Sequence, residues 1–151
     1  MIKIICVGKI KEKYLEDAIN EYKKRISKYH NLEIVELPDE GTNDIKVALK
    51  KEKEKILKVL NPKDYIITLE IEGKEDTSVE FAKRLDNLFI ENSNITFIIG
   101  WSYGIDDEIK NMSNHKLSFS KMTFPHQLFR LILLEQIYRA FKINNNEEYH
   151  K

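Results

Sequence analysis

Short apolar runs alternate with longer amphipathic segments along the whole chain, and this alternation limits the fold more strongly than any other feature. The runs are rich in β-branched residues and are predicted strands at residues 2–7, 32–37, 64–71, 94–99 and, more weakly, 116–119. The segment 95–99 is apolar on both faces, which is typical of a parallel strand buried between two layers of helices. We therefore predict an α/β fold, a mostly parallel sheet flanked by helices, in a single domain of residues 1–151.

The segments between the predicted strands have helical periodicity. Between the first two strands, apolar side chains recur at three- and four-residue spacings, as at Tyr14, Ala18 and Tyr22, so one helix face is apolar. Similar stripes precede the third and fourth strands. Segment 72–78 is the most polar stretch and is predicted to be a loop, with Thr77 or Ser78 as the N-cap of the following helix.

The last predicted helix differs from the others because apolar residues surround it. It begins with Pro125 in its first turn and runs to Lys142. Its apolar positions are Leu128, Phe129, Leu131, Ile132, Leu133, Leu134, Ile137, Tyr138 and Phe141. A helix of this kind is buried on most sides, either at the centre of the monomer or against another subunit. We favour the second interpretation and therefore predict a homodimer.

The net charge of zero hides an uneven distribution. The chain has 25 Lys and Arg against 25 Asp and Glu, and this balance by itself argues against a nucleic-acid partner. Residues 1–58 have 14 basic and 11 acidic side chains, residues 59–111 have 5 and 11, and residues 112–151 have 6 and 3. Both ends are therefore basic and can offer local positive surface, because salt screens charges over about 8 Å. Candidates for phosphate contacts in the last third are Arg130, Arg139, Lys142 and Lys151.

Composition and spacing predict a cytoplasmic protein with no membrane segment and no metal centre. No apolar run approaches the roughly 20 residues of a membrane-spanning helix, and the N-terminal segment becomes charged too early for a signal peptide. The single cysteine, Cys6, lies within an apolar run and is predicted to be a core thiol. The four histidines and this cysteine lack the close spacings that build zinc sites.

In open α/β sheets, ligands bind at the carboxyl ends of the strands, so a site is expected in the loops that follow the predicted strands. One such loop, residues 100–104, reads Gly-Trp-Ser-Tyr-Gly and matches the G-x-S-x-G turn of α/β-hydrolases. A serine hydrolase is therefore one alternative function. Its triad would combine Ser102 with Asp106 or Asp107 and with His115, His126 or His150. Against it, no HGGG-type loop is present to complete an oxyanion hole.

The loop before the last helix, residues 117–126, reads Leu-Ser-Phe-Ser-Lys-Met-Thr-Phe-Pro-His. It lacks the glycines of a P-loop, so a phosphate cradle of that kind is excluded. Backbone polar groups between apolar side chains suit a flat heterocycle such as adenine. The residues alone therefore favour a ligand of this kind at the loop.

Three C-terminal motifs carry a resemblance to a known family. They are Lys-Met-Thr-Phe-Pro-His-Gln at 121–127, Glu-Gln-Ile-Tyr-Arg-Ala-Phe-Lys at 135–142 and Tyr-His-Lys at 149–151. Together with Val-Gly-Lys at 7–9 and Leu-Pro-Asp at 37–39, they make the chain resemble, over essentially its whole length, the pseudouridine-N3 methyltransferases of 23S ribosomal RNA. These enzymes belong to the SPOUT class, so the resemblance implies a SPOUT fold with a C-terminal trefoil knot and a homodimer built on the last helix.

The resemblance also implies a cofactor, a reaction and a set of site residues. The cofactor is S-adenosyl-L-methionine, and the substrate is pseudouridine 1915, in the usual rRNA numbering, of 23S rRNA in the assembled ribosome. The implied cofactor-binding positions are Leu69, Gly100, Phe119, Ser120, Lys121, Met122, Thr123 and Phe124. His150 is the candidate base for the N3 proton, because imidazole titrates near neutrality, and Tyr149 or Arg139 is expected to orient the base or the RNA.

One position departs from the family pattern. Trp101 stands where the family usually has a second glycine, and this change creates the hydrolase-like G-x-S-x-G. If the position requires positive φ, a Trp there would cost about 1–2 kcal/mol. Alternatively, the indole packs over the site without loss. If the strain at Trp101 prevents cofactor binding, the chain has a third possible function, that of a dimeric binding module that has lost its cofactor.

Overall fold

The computed structural model of this protein describes residues 1–101 and 103–151. Within these residues, strands and helices alternate as the sequence predicts. The elements are β1 (Ile2–Val7), α1 (Lys13–Ile26), β2 (Leu32–Leu37), α2 (Ile45–Val59), β3 (Tyr65–Glu75), α3 (Ser78–Glu91), β4 (Ile95–Ile99), α4 (Asp107–Met112), β5 (His115–Ser118) and α5 (His126–Asn144).

The strands form one five-stranded sheet in the order β2-β1-β4-β3-β5. Every neighbouring pair is parallel, with Ile2 of β1 opposite both Leu32 of β2 and Ile95 of β4. All residues of β4 are buried, as expected for an apolar strand inside a sheet that helices cover on both faces. The predicted α/β fold with a parallel sheet flanked by helices is confirmed.

The two faces of the sheet have separate apolar cores. On one face, α1, α3 and α5 contribute side chains such as Ile19, Phe81 and Ile137. On the other face, α2 and α4 contribute Ile56 and Ile109. Side chains of a strand alternate between these cores, because successive residues point to opposite faces of a sheet.

β3 extends further than the sequence predicts. Residues 72–75, predicted to be loop, continue the strand, and Lys74 and Glu75 pair with Leu117 and Ser118 of β5 after a register shift. Gly73 makes this pairing possible, because a Cβ there would lie 2.8 Å from the carbonyl oxygen of Lys116. The polar side chains of residues 72–75 wrongly predict a loop. The segment is a strand because its backbone pairs with the neighbouring strand, whatever the polarity of its side chains.

The helix ends are largely as predicted. The Thr77 hydroxyl accepts a hydrogen bond from the Glu80 amide at 3.1 Å, which confirms Thr77 as the N-cap of α3. Pro125 lies at the N-cap of α5 rather than inside its first turn. The helix continues to Asn144, two residues beyond the predicted end at Lys142.

Much of the apolar surface of α5 is buried within the same chain. The helix packs against α1 and α3, and its buried residues are Arg130, Leu133, Leu134, Ile137, Tyr138, Ala140 and Phe141. Packing inside the monomer therefore accounts for the apolar residues in the second half of α5. Apolar surface remains near its start, where Leu128 is 37% exposed and Phe129, Leu131 and Ile132 are half-buried. The homodimer stays a prediction.

Cys6 is fully buried in the core beside α1 and α5, as predicted. Burial raises the pKa of its thiol to about 12, so the reactive thiolate is scarce near neutral pH. In the described part of the chain, no helix combines the length and the apolar character needed to cross a membrane.

Candidate active site

A cavity of about 320 Å³ opens at the carboxyl ends of β4 and β5 and along residues 69–72 in the middle of β3. Leu69 of β3, Ile99 of β4 and Leu117 of β5 form its floor. This is the edge of the sheet where the sequence predicts a site, and the volume lies at the lower end of the range for small-molecule pockets.

Seven of the eight predicted cofactor-binding residues line this one cavity. They are Leu69, Gly100, Phe119, Ser120, Met122, Thr123 and Phe124. The eighth, Lys121, is exposed and is absent from the wall. Other residues also line the cavity, among them Trp101, Lys110, His126 and Phe129. The sequence marks Trp101 and His126, because they lie in the loops 100–104 and 117–126 where a site is predicted, but it carries no signal for Lys110 or Phe129.

The loop 119–124 is anchored by aromatic contacts. The rings of Phe119 and Phe124 lie 5.2 Å and 6.0 Å from the ring of Phe129 on α5, measured between centroids. The Ser120 hydroxyl accepts a hydrogen bond from the Met122 amide at 3.0 Å, which closes a local turn. Met122 itself is 75% exposed, so the loop presents a fixed aromatic base and an open apolar rim.

A few charged groups lie at the cavity mouth. Glu70 accepts a hydrogen bond from the Thr68 hydroxyl at 2.6 Å and lies 3.7 Å from the ammonium group of Lys110. Glu72 lines the same side and is exposed. A mostly apolar cavity with polar groups at one side suits a ligand that has a flat apolar part and a polar end. Among the residues that the structure describes, no cluster of three or more His, Cys, Asp or Glu side chains could hold a metal ion.

Two glycines shape the turn after β4. A Cβ on Gly100 would overlap the carbonyl group of Gly104, so only glycine allows this close approach. The Gly104 amide donates to the Trp101 carbonyl at 2.9 Å, and Gly104 has a φ of 83°. The proposed hydrolase nucleophile, Ser102, lies outside the described residues.

The other candidates for a hydrolase triad have separate surroundings. The Asp106 carboxylate caps α4 by accepting from the Glu108 amide at 2.9 Å. His115 lies on β5 near the Asp76–Arg84 ion pair, and His150 contacts Arg139. Asp106 and His150 thus have structural partners other than a serine.

Trp101 is accommodated without backbone strain. Among the described residues other than glycine, only Asn146 has positive φ. The indole instead packs directly on Gly8, whose φ is 95°, and stacks on the imidazole of His126 with 4.6 Å between ring centroids. Of the two alternatives for this position, packing of the indole over the site is the one observed.

His126 and Arg130 support this arrangement from α5. Burial lowers the pKa of His126, the positive charge of Arg130 lowers it further, and a hydrogen bond to the Gly100 backbone partly opposes both effects. The imidazole stacked on Trp101 is therefore neutral at physiological pH. Arg130 donates to the Glu36 carboxylate at 2.6 Å and to the Gly8 carbonyl at 2.9 Å.

The prediction that Arg130 meets phosphate is wrong. Its side chain is buried, with the residue only 1% exposed, and two of its nitrogen atoms are occupied by Glu36 and Gly8. The sequence offers no sign of this, because the partners lie more than 90 residues away along the chain.

The three predicted catalytic residues lie together at the other end of α5. Arg139 pairs with Glu135 and donates to Nδ1 of His150 at 3.0 Å. The Tyr149 hydroxyl donates to the same Glu135 carboxylate at 3.1 Å, and its ring lies 4.8 Å from the Arg139 guanidinium carbon. The C-terminal residues are thus folded back onto α5 rather than frayed.

This cluster is distant from the cavity of the same chain. Phe129 is the last α5 residue in the cavity wall, and Arg139 follows it by ten residues. At 1.5 Å per residue, the two positions are separated by about 15 Å along the helix axis. Reacting atoms must approach to about 3 Å, so Tyr149 and His150 as placed here do not serve their own cavity.

Comparison with known proteins agrees with the fold and the cavity. The family model described as "Predicted SPOUT methyltransferase" matches residues 1–150. A protein of Methanococcus maripaludis (strain C5) is 59% identical over 157 residues, which cover 99% of each chain. The ribosomal RNA large subunit methyltransferase H of Clostridium acetobutylicum is 51% identical, again over 99% of both chains.

A solved structure shares the fold at low sequence identity. A probable methylase family protein of Haemophilus influenzae Rd KW20 is 15% identical, with a TM-score of 0.59 over 99% of this chain and 70% of that one. The parallel sheet, the cavity at its carboxyl edge and the match over nearly the whole chain place this protein in the SPOUT class of methyltransferases. Within that class, the chain belongs to the ribosomal RNA large subunit methyltransferase H family.

Proposed function

We propose that this protein uses S-adenosyl-L-methionine to methylate N3 of a pseudouridine in 23S rRNA, on the assembled ribosome in the cytoplasm. The observation that carries the proposal is the single cavity shared by Leu69, Gly100 and the loop 119–124. These are the positions that the family resemblance assigns to the cofactor. Relatives named for methylation of large-subunit ribosomal RNA align over 99% of the chain.

The cavity fits the proposed cofactor. Its apolar floor and the aromatic anchors of the loop 119–124 suit an adenine ring, and the Cβ-free Gly100 lets the ligand approach the backbone closely. Glu70, Glu72 and Lys110 offer partners for the polar part of the ligand. When bound, S-adenosyl-L-methionine supplies an electrophilic methyl group on a sulfonium. The residues of this chain then need only to orient the nucleobase and remove its N3 proton.

We assign the removal of that proton to His150. In the observed contact the Arg139 guanidinium donates to Nδ1 of His150, so the lone pair of this nitrogen is occupied. His150 can accept a proton at Nδ1 once Arg139 releases it. A substrate phosphate is a suitable alternative partner for the guanidinium, and Tyr149 remains anchored to Glu135 meanwhile.

We further propose a homodimer in which the C-terminal cluster of one protomer serves the cavity of its partner. The separation of about 15 Å within one chain supports this arrangement, because proton removal requires direct contact. Exposed apolar side chains near the cavity give it a surface: Tyr14 is 69% exposed, Met122 is 75% exposed and Leu128 is 37% exposed. The homodimer predicted from the sequence would thus be needed to complete each active site.

The trefoil knot of the SPOUT class is part of the same proposal. The loop 119–124 lines a cavity together with residues 69–72 of β3 and the end of β4, and α5, which follows this loop, packs against both α1 and α3. This return past earlier strands supports a threaded C-terminal segment. Tracing the backbone in an experimental density map tests the proposal, and a loop that passes outside the preceding segments contradicts it.

Transfer of labelled methyl groups tests the proposed function. Purified protein and S-adenosyl-L-methionine would be incubated with ribosomes lacking this modification, and with free 23S rRNA in parallel. We expect label at N3 of one pseudouridine in the ribosomal sample and little in the free RNA. Ribosomes that already carry the methyl group are the control. No calorimetric binding of the cofactor to the wild-type protein, together with binding by Trp101→Gly, would indicate the dimeric module that has lost its cofactor instead.

A further inference from the structure

The segment between α5 and the C-terminal cluster has an anchor of its own, the side chain of Glu147. Its carboxylate accepts a hydrogen bond from the Tyr29 hydroxyl at 2.8 Å and another from the Lys142 ammonium group at 2.9 Å. The Glu147 amide also donates to the Lys142 carbonyl at 3.0 Å. Glu147 therefore ties this segment both to α5 and to the turn that follows α1.

The two donors that hold the Glu147 carboxylate are themselves positioned by packing. The Tyr29 ring stacks on Phe141 with 3° between the ring planes and 5.5 Å between centroids. Phe141 is buried in the core that α1, α3 and α5 share. The Lys142 ammonium group lies over the rings of Tyr29 and Tyr138, 5.8 Å and 5.6 Å from their centroids. The core therefore sets the place of both donors, and the donors set the place of the carboxylate.

These contacts add little to the stability of the fold. The Glu147 side chain is 41% exposed and the Lys142 side chain is 18% exposed. Ion pairs near the protein surface contribute little to the free energy of unfolding, because water solvates both charges well in their absence. Apolar packing between α1 and α5 holds the two helices together independently of this pair. The contacts of Glu147 instead supply a fixed position for the chain beyond α5.

Two anchors together define the direction of the terminal residues. Glu147 is fixed by its two donors, and two residues later Tyr149 is fixed by its hydrogen bond to Glu135. A segment held at one point can pivot, whereas a segment held at two points keeps its direction. His150 follows directly, and its contact with Arg139 is released in the proposed mechanism. From that moment the two anchors alone keep the imidazole in place.

We propose that Glu147 and Tyr29 are positioning residues for methyl transfer, and that their contact sets the place of His150 in the active site. This role rests on the proposed function of His150 as the base. Proton removal requires the base within hydrogen-bond distance, so a displaced imidazole acts poorly. Loss of the contact should lower kcat, while the KM for ribosomes and the affinity for S-adenosyl-L-methionine stay close to the wild-type values.

Two single variants and their combination test this role by transfer of labelled methyl groups. Glu147→Ala removes the carboxylate and should lower kcat about tenfold or more, since a misplacement of about 1 Å can cost roughly a hundredfold in rate. Tyr29→Phe removes only the hydroxyl and should cause a smaller loss, because Lys142 still holds the carboxylate. The double variant should be no slower than Glu147→Ala alone, because the second change breaks a contact that is already lost.

Glu148→Ala is the matched control for Glu147→Ala. Glu148 is the next residue along the chain and is exposed, so this variant should keep the wild-type kcat. Circular dichroism establishes that each variant is folded. A folded Glu147→Ala with the wild-type kcat overturns the positioning role. A double variant whose loss equals the product of the two single losses overturns it as well.

Nuclear magnetic resonance reports on the position of His150 without any turnover. In protein labelled with carbon-13 at histidine, deletion of residues 149–151 removes only His150 of the four histidines and so identifies its signal. Glu147→Ala should move this signal toward that of a histidine free in solution, and Glu148→Ala should leave it in place. A His150 signal that does not move in Glu147→Ala overturns the positioning role. A signal that moves, together with no methyl transfer by the wild-type protein, would support the anchoring of His150 by Glu147 and overturn the proposed function instead.

Discussion

At the scale of single residues, the most informative contact joins Gly8, Trp101 and His126. They come from the end of β1, the turn after β4 and the start of α5, and they meet beside the proposed cofactor cavity. The tryptophan that departs from the family pattern is compatible with the fold because Gly8 leaves space for its ring. Its conformational cost is avoided because its φ is not positive.

Replacing Gly8 tests this contact. Gly8→Ala should lower the free energy of unfolding by about 2–4 kcal/mol, because alanine is strained at a φ of 95° and its Cβ would overlap the indole. Urea unfolding measures the change. Gly41→Ala is the matched control, since a Cβ there has nothing within 4 Å and its φ is not positive. Equal losses in the two variants would contradict the predicted contact.

At the scale of secondary-structure elements, α2 contains a group whose charge the fold disfavours. Glu52 is only 4% exposed. Burial, and secondarily the charge of Asp39, raises its pKa from 4.5 to about 7, while Lys55 opposes the rise. The folded state therefore binds this proton more tightly than the unfolded state. Its contribution is complete below about pH 4.5 and is lost as the pH rises through about 7.

Substitution of Glu52 should remove this pH dependence. Glu52→Gln is expected to raise the free energy of unfolding by about 1–3 kcal/mol at pH 8 and to change it little at pH 4. Denaturant titrations at the two pH values measure the difference. Glu54→Gln, an exposed position on the same helix, should behave alike at both. A Glu52→Gln effect that is the same at pH 4 and pH 8 would rule out this account.

The C-terminal residues that pack on α5 have a predicted catalytic function. Tyr149 and His150 are held against α5 by Glu135 and Arg139, far from the cavity of the same chain. Deletion of residues 149–151 should reduce methyl transfer to the ribosome by roughly 10²–10⁴-fold, the usual contribution of a general base. Affinity for S-adenosyl-L-methionine should change little.

The readouts for the deletion are label transfer and calorimetry on the same preparation. Glu148→Gln serves as its control, because Glu148 is exposed and lies directly before the deleted residues. This variant should transfer methyl groups normally. Wild-type transfer by the truncated protein would exclude a catalytic role for Tyr149 and His150.

At the scale of the whole molecule, the proposed active site requires two copies of the chain. Two inactive variants with different defects should then complement each other. Gly100→Ala damages the cavity, because its Cβ would overlap Gly104, and His150→Ala removes the base. Random mixing gives half mixed dimers, each with one intact site, so about a quarter of wild-type activity should return.

The complementation is measured after the two variants are unfolded and refolded together, or coexpressed. Each variant alone provides the baseline, and circular dichroism checks that both are folded. Activity of the mixture that stays at the baseline would mean that each chain builds its own site. If dimers form in solution but the variants do not complement each other, the homodimer would be supported and the shared active site would be contradicted.

Much of the architecture follows from local patterns in the sequence. The strands were predicted within a residue or two at most ends, since apolar runs of period 2 and stripes of period 3.6 are properties of neighbouring residues. The extension of β3 through residues 72–75 was missed, because its stability comes from pairing with β5 and Gly73. The apolar surface of α5 is interpreted from the sequence as an interface with another subunit, whereas its second half is buried against α1 and α3 of the same chain.

The candidate site divides in the same way. The residues after the third, fourth and fifth strands were expected at one edge, and seven of the eight cofactor positions do line one cavity. The burial of Arg130 and its bonds to Glu36 and Gly8 were not predicted, because a single arginine on a helix looks the same whether it faces solvent or core.

The sequence by itself therefore determined the alternation of strands and helices, the carboxyl edge that holds the cavity, and the family. Only the tertiary structure decided that Trp101 rests on Gly8 and His126, that Arg130 is buried, and that the C-terminal cluster lies about 15 Å along α5 from the cavity. The physical reason is the strand order β2-β1-β4-β3-β5, which brings distant segments together and which no local periodicity encodes.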